Sequence, residues 1–318
     1  MSSTSMPSDT PPILVLDADA ADIVAELEVR RPGHYRAVSS PEQLETCEST
    51  VCLGSPGHVV AASTKLTSLR WVQSTWAGTA PLLSLLHERP ELQVTGVKGI
   101  FGALMAEYVF GWIAALQRRL FDYRDQQRQG LWRQLPERPS GGRHMVILGV
   151  GSIGQHLAEV ATAFGLTVTG VSRTGASVAG IERVFAVSAL PDAVAGADYL
   201  VSVLPDTPDT CGLIDAEVLA ALAPAAVLIN VGRGTAVMDA DVIRALKAGS
   251  LSAAVLDVFR EEPLPPGHPF WTTPNLYVTP HVAAITPASA LAELFLDNLA
   301  RFEAGQPLAH RVDAQRGY

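Results

Sequence analysis

The most constraining feature of the chain is the glycine-spaced turn Gly149-Val150-Gly151-Ser152-Ile153-Gly154, set between an apolar run, Val146 to Val150, and a helix-like segment, Gln155 to Phe164. A strand that enters a helix through GxGxxG, with another apolar run beyond, reads as the opening of a dinucleotide-binding βαβ unit. Each glycine has its own task. Gly149 permits the tight turn, Gly151 lets a pyrophosphate approach the backbone, and Gly154 lets helix and strand pack closely, while the first-turn amides around Ser152 and Ile153 face the phosphates. Further apolar runs follow at Leu166 to Val171, Tyr199 to Leu204, Ala225 to Ile229, Ala253 to Val258 and Leu276 to Val278. They are near-continuously apolar rather than alternating, as expected of parallel strands covered on both faces, so the reading is an α/β fold with doubly wound parallel sheets.

Upstream, Ile13 to Leu16 reads as a strand, Ala21 to Val29 has helical spacing, and Val51 to Leu53 and Val59 to Ala61 read as short strands. Ala103 to Leu116 reads as one apolar helix. The stretch Gln117 to Arg143 then carries seven arginines against three acids and ends in Pro139-Ser140-Gly141-Gly142, which reads as a solvated helix face plus linker. Ala288 to Phe302 returns to helical apolar spacing after the sheet is complete. Met1 to Pro12 reads as a frayed tail without the parts of a secretory signal.

The end of the second strand selects the dinucleotide. An NAD site places Asp or Glu there to accept the ribose 2'-hydroxyl, whereas a 2'-phosphate needs a cation. The residues are Val171, Ser172, Arg173 and Thr174, with no carboxylate. Arg173 can pair with the phosphate and Ser172 and Thr174 can donate to it, so NADP(H) is expected over NAD(H).

The 318 residues carry a formal charge of -9, which leaves no general cationic surface for nucleic acid or anionic lipid. The longest apolar stretch, Val218 to Ile229, contains Pro224 and falls short of the roughly 18 residues of a spanning helix. Three cysteines, Cys47, Cys52 and Cys211, form no CxxC pair, and no metal-ligand spacing occurs. A cytoplasmic protein without metal, membrane or nucleic-acid partners is expected.

Polar residues recur at the ends of three apolar runs: Asn230-Val231-Gly232-Arg233-Gly234, Asp257 to Pro263, and Thr279-Pro280-His281. That edge of an open α/β sheet is where ligands bind. Arg233 can bind a substrate carboxylate and polarise the neighbouring carbonyl, His281 can supply a proton, and Glu262 can hold the imidazole ring.

These segments, LGVGSIG (Leu148 to Gly154), LPDTPDT (Leu204 to Thr210), NVGRG (Asn230 to Gly234), LDVFREEPLP (Leu256 to Pro265) and TPHVAA (Thr279 to Ala284), resemble in order and spacing the D-isomer-specific 2-hydroxyacid dehydrogenases. WVQSTWAG (Trp71 to Gly78) and GIFGALMAEYVFGW (Gly99 to Trp112) resemble the branch containing glyoxylate and hydroxypyruvate reductases. The resemblance implies two Rossmann-like or flavodoxin-like domains with cofactor and substrate in the cleft between them, the substrate domain being residues 1–103 and 287–318 and the dinucleotide domain residues 104–286. It implies Arg233, Glu262 and His281 as catalytic residues. Leu204, Pro205, Val231 and Gly232 would lie against the cofactor and Asp257 would contact the nicotinamide carboxamide. Trp76, Ala77 and Gly78 would present backbone amides to the substrate carboxylate, beside Arg233 and His281. The implied reaction is reduction of small 2-keto acids by a homodimer. A dehydrogenase for a larger D-2-hydroxy acid and a cofactor-sensing binding protein of the same fold stay open as alternatives, and Trp76 is a bulky residue for such a pocket.

Overall fold

A computed structural model of the chain describes residues 11–314, so the expected tail lies outside the described residues except for Pro11 and Pro12. The chain divides into two compact units, Met1–Ile100 with Thr286–Tyr318, and Phe101–Ile285.

The first unit is built on a five-stranded parallel sheet of β1 (Ile13–Leu16), β2 (Tyr35–Val38), β3 (Val51–Gly54), β4 (Trp71–Ser74) and β5 (Gln93–Thr95) in the order β2-β1-β3-β4-β5. This is the flavodoxin-like winding, with its change of direction between β1 and β3. Leu14, Leu16, Cys52, Val72 and Val94 form the core of one face. Trp71 is fully buried and stacks on Phe295 of the helix Ala288–Glu303, with ring centroids 5.2 Å apart.

The second unit holds a seven-stranded parallel sheet of β6 (His144–Leu148), β7 (Thr167–Ser172), β8 (Arg183–Ala186), β9 (Tyr199–Ser202), β10 (Val227–Asn230), β11 (Ala253–Leu256) and β12 (Leu276–Val278). Its order is β12-β11-β10-β9-β6-β7-β8, so the winding reverses between β6 and β9. Both faces are apolar because alternate residues of each strand enter different cores. Val146, Leu148, Leu200 and Leu228 pack on one side, and Met145, Ile147, Tyr199, Val201 and Ile229 on the other. The helix Gly102–Gln117 belongs to this second core and packs against the helix Ser152–Ala163.

Val59 to Ala61, expected as a strand, is instead the end of a helix, Pro56–Ala61. Ser55 is extended and Pro56 occupies the first turn, where the fixed φ of proline and its missing N–H favour helix initiation. The strands β2, β4, β5 and β8 were not anticipated. Three of them are sheet edges, and β4 carries the polar Gln73 and Ser74, fully buried yet hydrogen-bonded. No helix among the described residues is long and apolar enough to cross a membrane.

Candidate functional site

The glycine turn sits at the carboxyl end of β6, where the winding reverses. Gly149 has φ 96° and donates its N–H to Val171 O at 2.9 Å. A Cβ on Gly154 would lie 2.0 Å from Gly149 O, so that position admits no side chain. A Cβ on Gly151 would meet nothing within 4 Å, and Gly151 is the N-cap of the helix Ser152–Ala163 with no side-chain cap. Close packing beneath the turn, open space before it and uncapped first-turn amides at Ser152, Ile153 and Gly154 fit a pyrophosphate. Leu204 and Pro205 follow β9. A Cβ on Gly232 would lie 2.6 Å from Leu204 N and O, so the Val231-Gly232 segment after β10 rests on them. Arg173 and Thr174 are exposed just past β7, and half-buried Ser172 Oγ accepts Gly175 N at 3.0 Å.

Arg233 is set by the Asn230 side chain, whose Nδ2 donates to Arg233 O at 2.9 Å while its Oδ1 accepts Gly232 N at 3.2 Å. Gly234 is confined, since a Cβ there would lie 2.0 Å from Phe259 C. This contact brings the segment after β10 onto the segment after β11 that carries Glu262. Burial lowers the Arg233 guanidinium from its ordinary value, and the charges of Asp206 and Glu262 oppose that shift. Glu262 Oε1 accepts Phe259 N at 2.8 Å and its Oε2 lies 2.8 Å from His281 Nδ1. A carboxylate oxygen accepts from Nδ1–H, so Nδ1 is the ring nitrogen turned to Glu262 and Nε2 is the other. Arg233, Glu262 and His281 thus converge at one edge of one sheet.

Residues that sequence reasoning missed hold these segments: Arg260, Thr235 and Asp206 in one group, and Tyr108 and Thr279 around the expected Asp257 in another. Arg260 donates from Nη2 to Val237 O at 2.6 Å and Thr235 O at 3.0 Å, and Thr235 Oγ1 donates to Asp206 at 2.6 Å. Asp257 is 1 % exposed. Its carboxylate accepts Thr279 Oγ1 at 2.6 Å and the N–H groups of Val282 and Ala283 at 2.9 Å each. Tyr108 Oη lies 2.5 Å from Thr279 Oγ1. Both Tyr108 and Thr279 fall inside the quoted motifs, and a phenol within an apolar helix was the available signal.

In the first unit, Trp76, Ala77 and Gly78 follow β4. Trp76 is 54 % exposed, and its N–H and C=O both bond Ser74 Oγ, at 3.0 and 2.7 Å. Thr75 donates its hydroxyl to the buried Asp17 at 2.6 Å and its carbonyl accepts Thr286 Oγ1 at 2.9 Å. No cluster of His, Cys, Asp or Glu suited to a metal ion occurs among the described residues.

The family described as "D-isomer specific 2-hydroxyacid dehydrogenase, NAD binding domain" matches residues 110–283. A protein named glyoxylate/hydroxypyruvate reductase A from Serratia proteamaculans is 38 % identical over 289 residues, which is 91 % of this chain and 88 % of that protein. A crystal structure of a D-isomer specific 2-hydroxyacid dehydrogenase family protein from Aeromonas salmonicida is 40 % identical with a TM-score of 0.89, covering 96 % of this chain and 100 % of that one. An NADPH-dependent glyoxylate/hydroxypyruvate reductase from Sinorhizobium meliloti, solved with NADP and sulfate, is 30 % identical with a TM-score of 0.84 and coverage of 96 % and 100 %. Likeness of this depth, extending over nearly the whole length of relatives that share the fold, settles descent: the chain belongs to the D-isomer specific 2-hydroxyacid dehydrogenase family of NAD(P)-dependent oxidoreductases.

Proposed function

We propose that the protein reduces small 2-keto acids, glyoxylate and hydroxypyruvate, to the D-2-hydroxy acids with NADPH. The observation that carries this reading is the 2.8 Å pair between Glu262 and His281, set on the same sheet edge as Arg233 and the glycine turn. When bound, the dinucleotide supplies a hydride to the keto carbon. His281 gives its Nε2 proton to the carbonyl oxygen, so that one hydride and one proton convert C=O to CH–OH. Glu262 holds the ring through Nδ1. Arg233 pairs with the substrate carboxylate and polarises the carbonyl; a guanidinium stays charged at neutral pH even when partly desolvated. In the first unit the Trp76 amide is taken up by Ser74 Oγ, and the amides of Ala77 and Gly78 are the backbone donors suited to a substrate carboxylate, because such donors bind an anion without a buried countercharge. Gly149, Gly151, Ser152, Ile153 and Gly154 hold the pyrophosphate, and Leu204, Pro205, Val231 and Gly232 line the cofactor, whereas the Asp257 carboxylate, expected at the carboxamide, is buried and taken up by Thr279, Val282 and Ala283. Arg173, Ser172 and Thr174 select the 2'-phosphate. The name of the Serratia relative and the NADP bound to the Sinorhizobium protein support substrate and cofactor.

The test is the fall in NADPH absorbance, and in parallel that of NADH, with glyoxylate, hydroxypyruvate, pyruvate and a phenyl-substituted keto acid. Faster decay with NADPH on the two- and three-carbon acids is expected. Decay with the bulky acid alone would replace the substrate assignment, and binding of NADPH without turnover of any acid would replace the enzyme reading with a sensing one.

A further inference from the structure

Tyr108 lies half-buried on the apolar helix Gly102–Gln117, away from the segments that carry the acid–base pair, yet it is hydrogen-bonded into them. Its hydroxyl is 2.5 Å from Thr279 Oγ1, and Thr279 Oγ1 donates to Asp257 Oδ1 at 2.6 Å. A threonine hydroxyl has one proton. That proton goes to the carboxylate, so Tyr108 must be the donor to Thr279, and the chain runs in one direction from phenol to threonine to carboxylate. Burial pushes the Tyr108 phenol up to about 12, so the donated proton is present throughout the neutral range.

The end of the chain controls the backbone at His281. This residue has φ 55°, a left-handed conformation that a histidine keeps only where its surroundings over-determine it. His281 N donates to Asp257 O at 2.9 Å, and the next two amides donate to the Asp257 carboxylate. The carboxylate is therefore the clamp on the turn that aims the imidazole, and its own orientation depends on the Thr279 hydroxyl. Hydrogen bonds in series polarise one another, so the phenol strengthens the bond that holds the clamp.

We propose that Tyr108 is a positioning residue for this reaction, acting through Thr279 and Asp257 to fix the backbone on which His281 is set. The inference rests on the reading of His281 as proton donor.

Tyr108→Phe keeps the ring and removes only the donor. With NADPH and glyoxylate it lowers kcat by about tenfold, a loss in keeping with a misplaced catalytic group. KM for NADPH stays within about twofold, because an interaction that places the proton donor is expressed in the transition state. Thr279→Val gives a similar loss, Thr279→Ser restores most of it, and Tyr108→Phe with Thr279→Val falls no further than Thr279→Val alone, since the two act as one unit. A second readout needs no turnover: in ¹⁵N-histidine-labelled protein, the imidazole resonances that vanish in His281→Ala shift or broaden in Tyr108→Phe. A Tyr108→Phe kcat within about twofold of the parent, multiplicative losses, or unmoved imidazole resonances would each overturn the proposal. A parent protein inactive on every 2-keto acid would remove the proposed reaction instead, and the imidazole resonances would still decide whether Tyr108 positions His281.

Discussion

The main-chain carbonyl of Asp257 accepts the N–H of His281 at 2.9 Å, so the last residue of one strand end fixes the backbone of the next. The same aspartate takes the following two amides on its carboxylate, both at 2.9 Å. Asp257→Ala leaves the buried Ala283 amide and the partly buried Val282 amide without that acceptor, at a cost of about 1–3 kcal/mol for a buried group left unsatisfied. The variant is expected to melt several degrees lower and to lose at least tenfold in kcat, read by calorimetry and by NADPH absorbance.

His281→Ala removes the proton donor while leaving the glycine turn intact. General acid catalysis contributes about 10²–10⁴ in rate, so kcat should fall by that much while the Kd for NADPH stays within a few-fold. Fluorescence titration of NADPH beside steady-state kinetics separates the two quantities. Turnover near that of the parent protein would reassign the proton donor.

Gly151 and Gly154 should respond differently to the same added methyl group. A Cβ at Gly154 would stand 2.0 Å from a backbone carbonyl that cannot move aside, so Gly154→Ala should cost about 1–3 kcal/mol and lower Tm. At Gly151 the Cβ enters open space and φ is -72°, so Gly151→Ala should keep Tm and weaken NADPH binding by blocking the pyrophosphate. Equal loss of Tm in both would argue against the phosphate assignment.

Arg173→Ala should raise KM for NADPH by about tenfold or more, the loss of a charge-assisted contact to phosphate, and leave KM for NADH nearly unchanged. Equal effects on the two cofactors would show that Arg173 does not read the 2'-phosphate.

His144, on β6, accepts or donates a hydrogen bond with Thr169 Oγ1 at 2.9 Å, and burial holds its pKa below the ordinary histidine value. Between the folded value and the ordinary one near about 6.5, the unfolded chain binds the extra proton. Stability is therefore lost as pH falls from about 6.5 toward the folded value and is retained above it. Melting curves at about pH 7.5 and about pH 5.5, above and below the ordinary value, should show a smaller drop for His144→Gln than for the parent protein.

The cofactor sheet was legible because its inner strands are covered on both faces, which forces continuous apolar runs such as Met145 to Leu148, and because a GxGxxG turn has few other uses. The edge strands Tyr35–Val38 and Arg183–Ala186 were not, since strands covered on one side tolerate Arg36 and Arg183. Val59 to Ala61 misled because three small apolar residues suit a strand or a helix equally, and Pro56 decides between them. Within the site, Arg233, Glu262 and His281 were legible as chemistry-bearing residues after apolar runs. The supports were not: Tyr108 and Thr279 are 171 residues apart, and only the folded sheet brings the phenol to the threonine.

The first unit is assembled from two separated stretches of chain, and the second stretch completes its core. Phe295 stacks on Trp71, Asn298 Nδ2 donates to the buried Gln73 Oε1 at 3.2 Å, and Val312 N donates to Val94 O at 2.8 Å. On the ribosome, the first hundred residues therefore emerge with Trp71 uncovered and wait while the contiguous Phe101–Ile285 unit is made and folds. Their partner helix, Ala288–Glu303, arrives only afterward. The nascent chain thus acquires its dinucleotide-binding sheet before its N-terminal sheet is closed, and nascent-chain protease resistance should appear in that order.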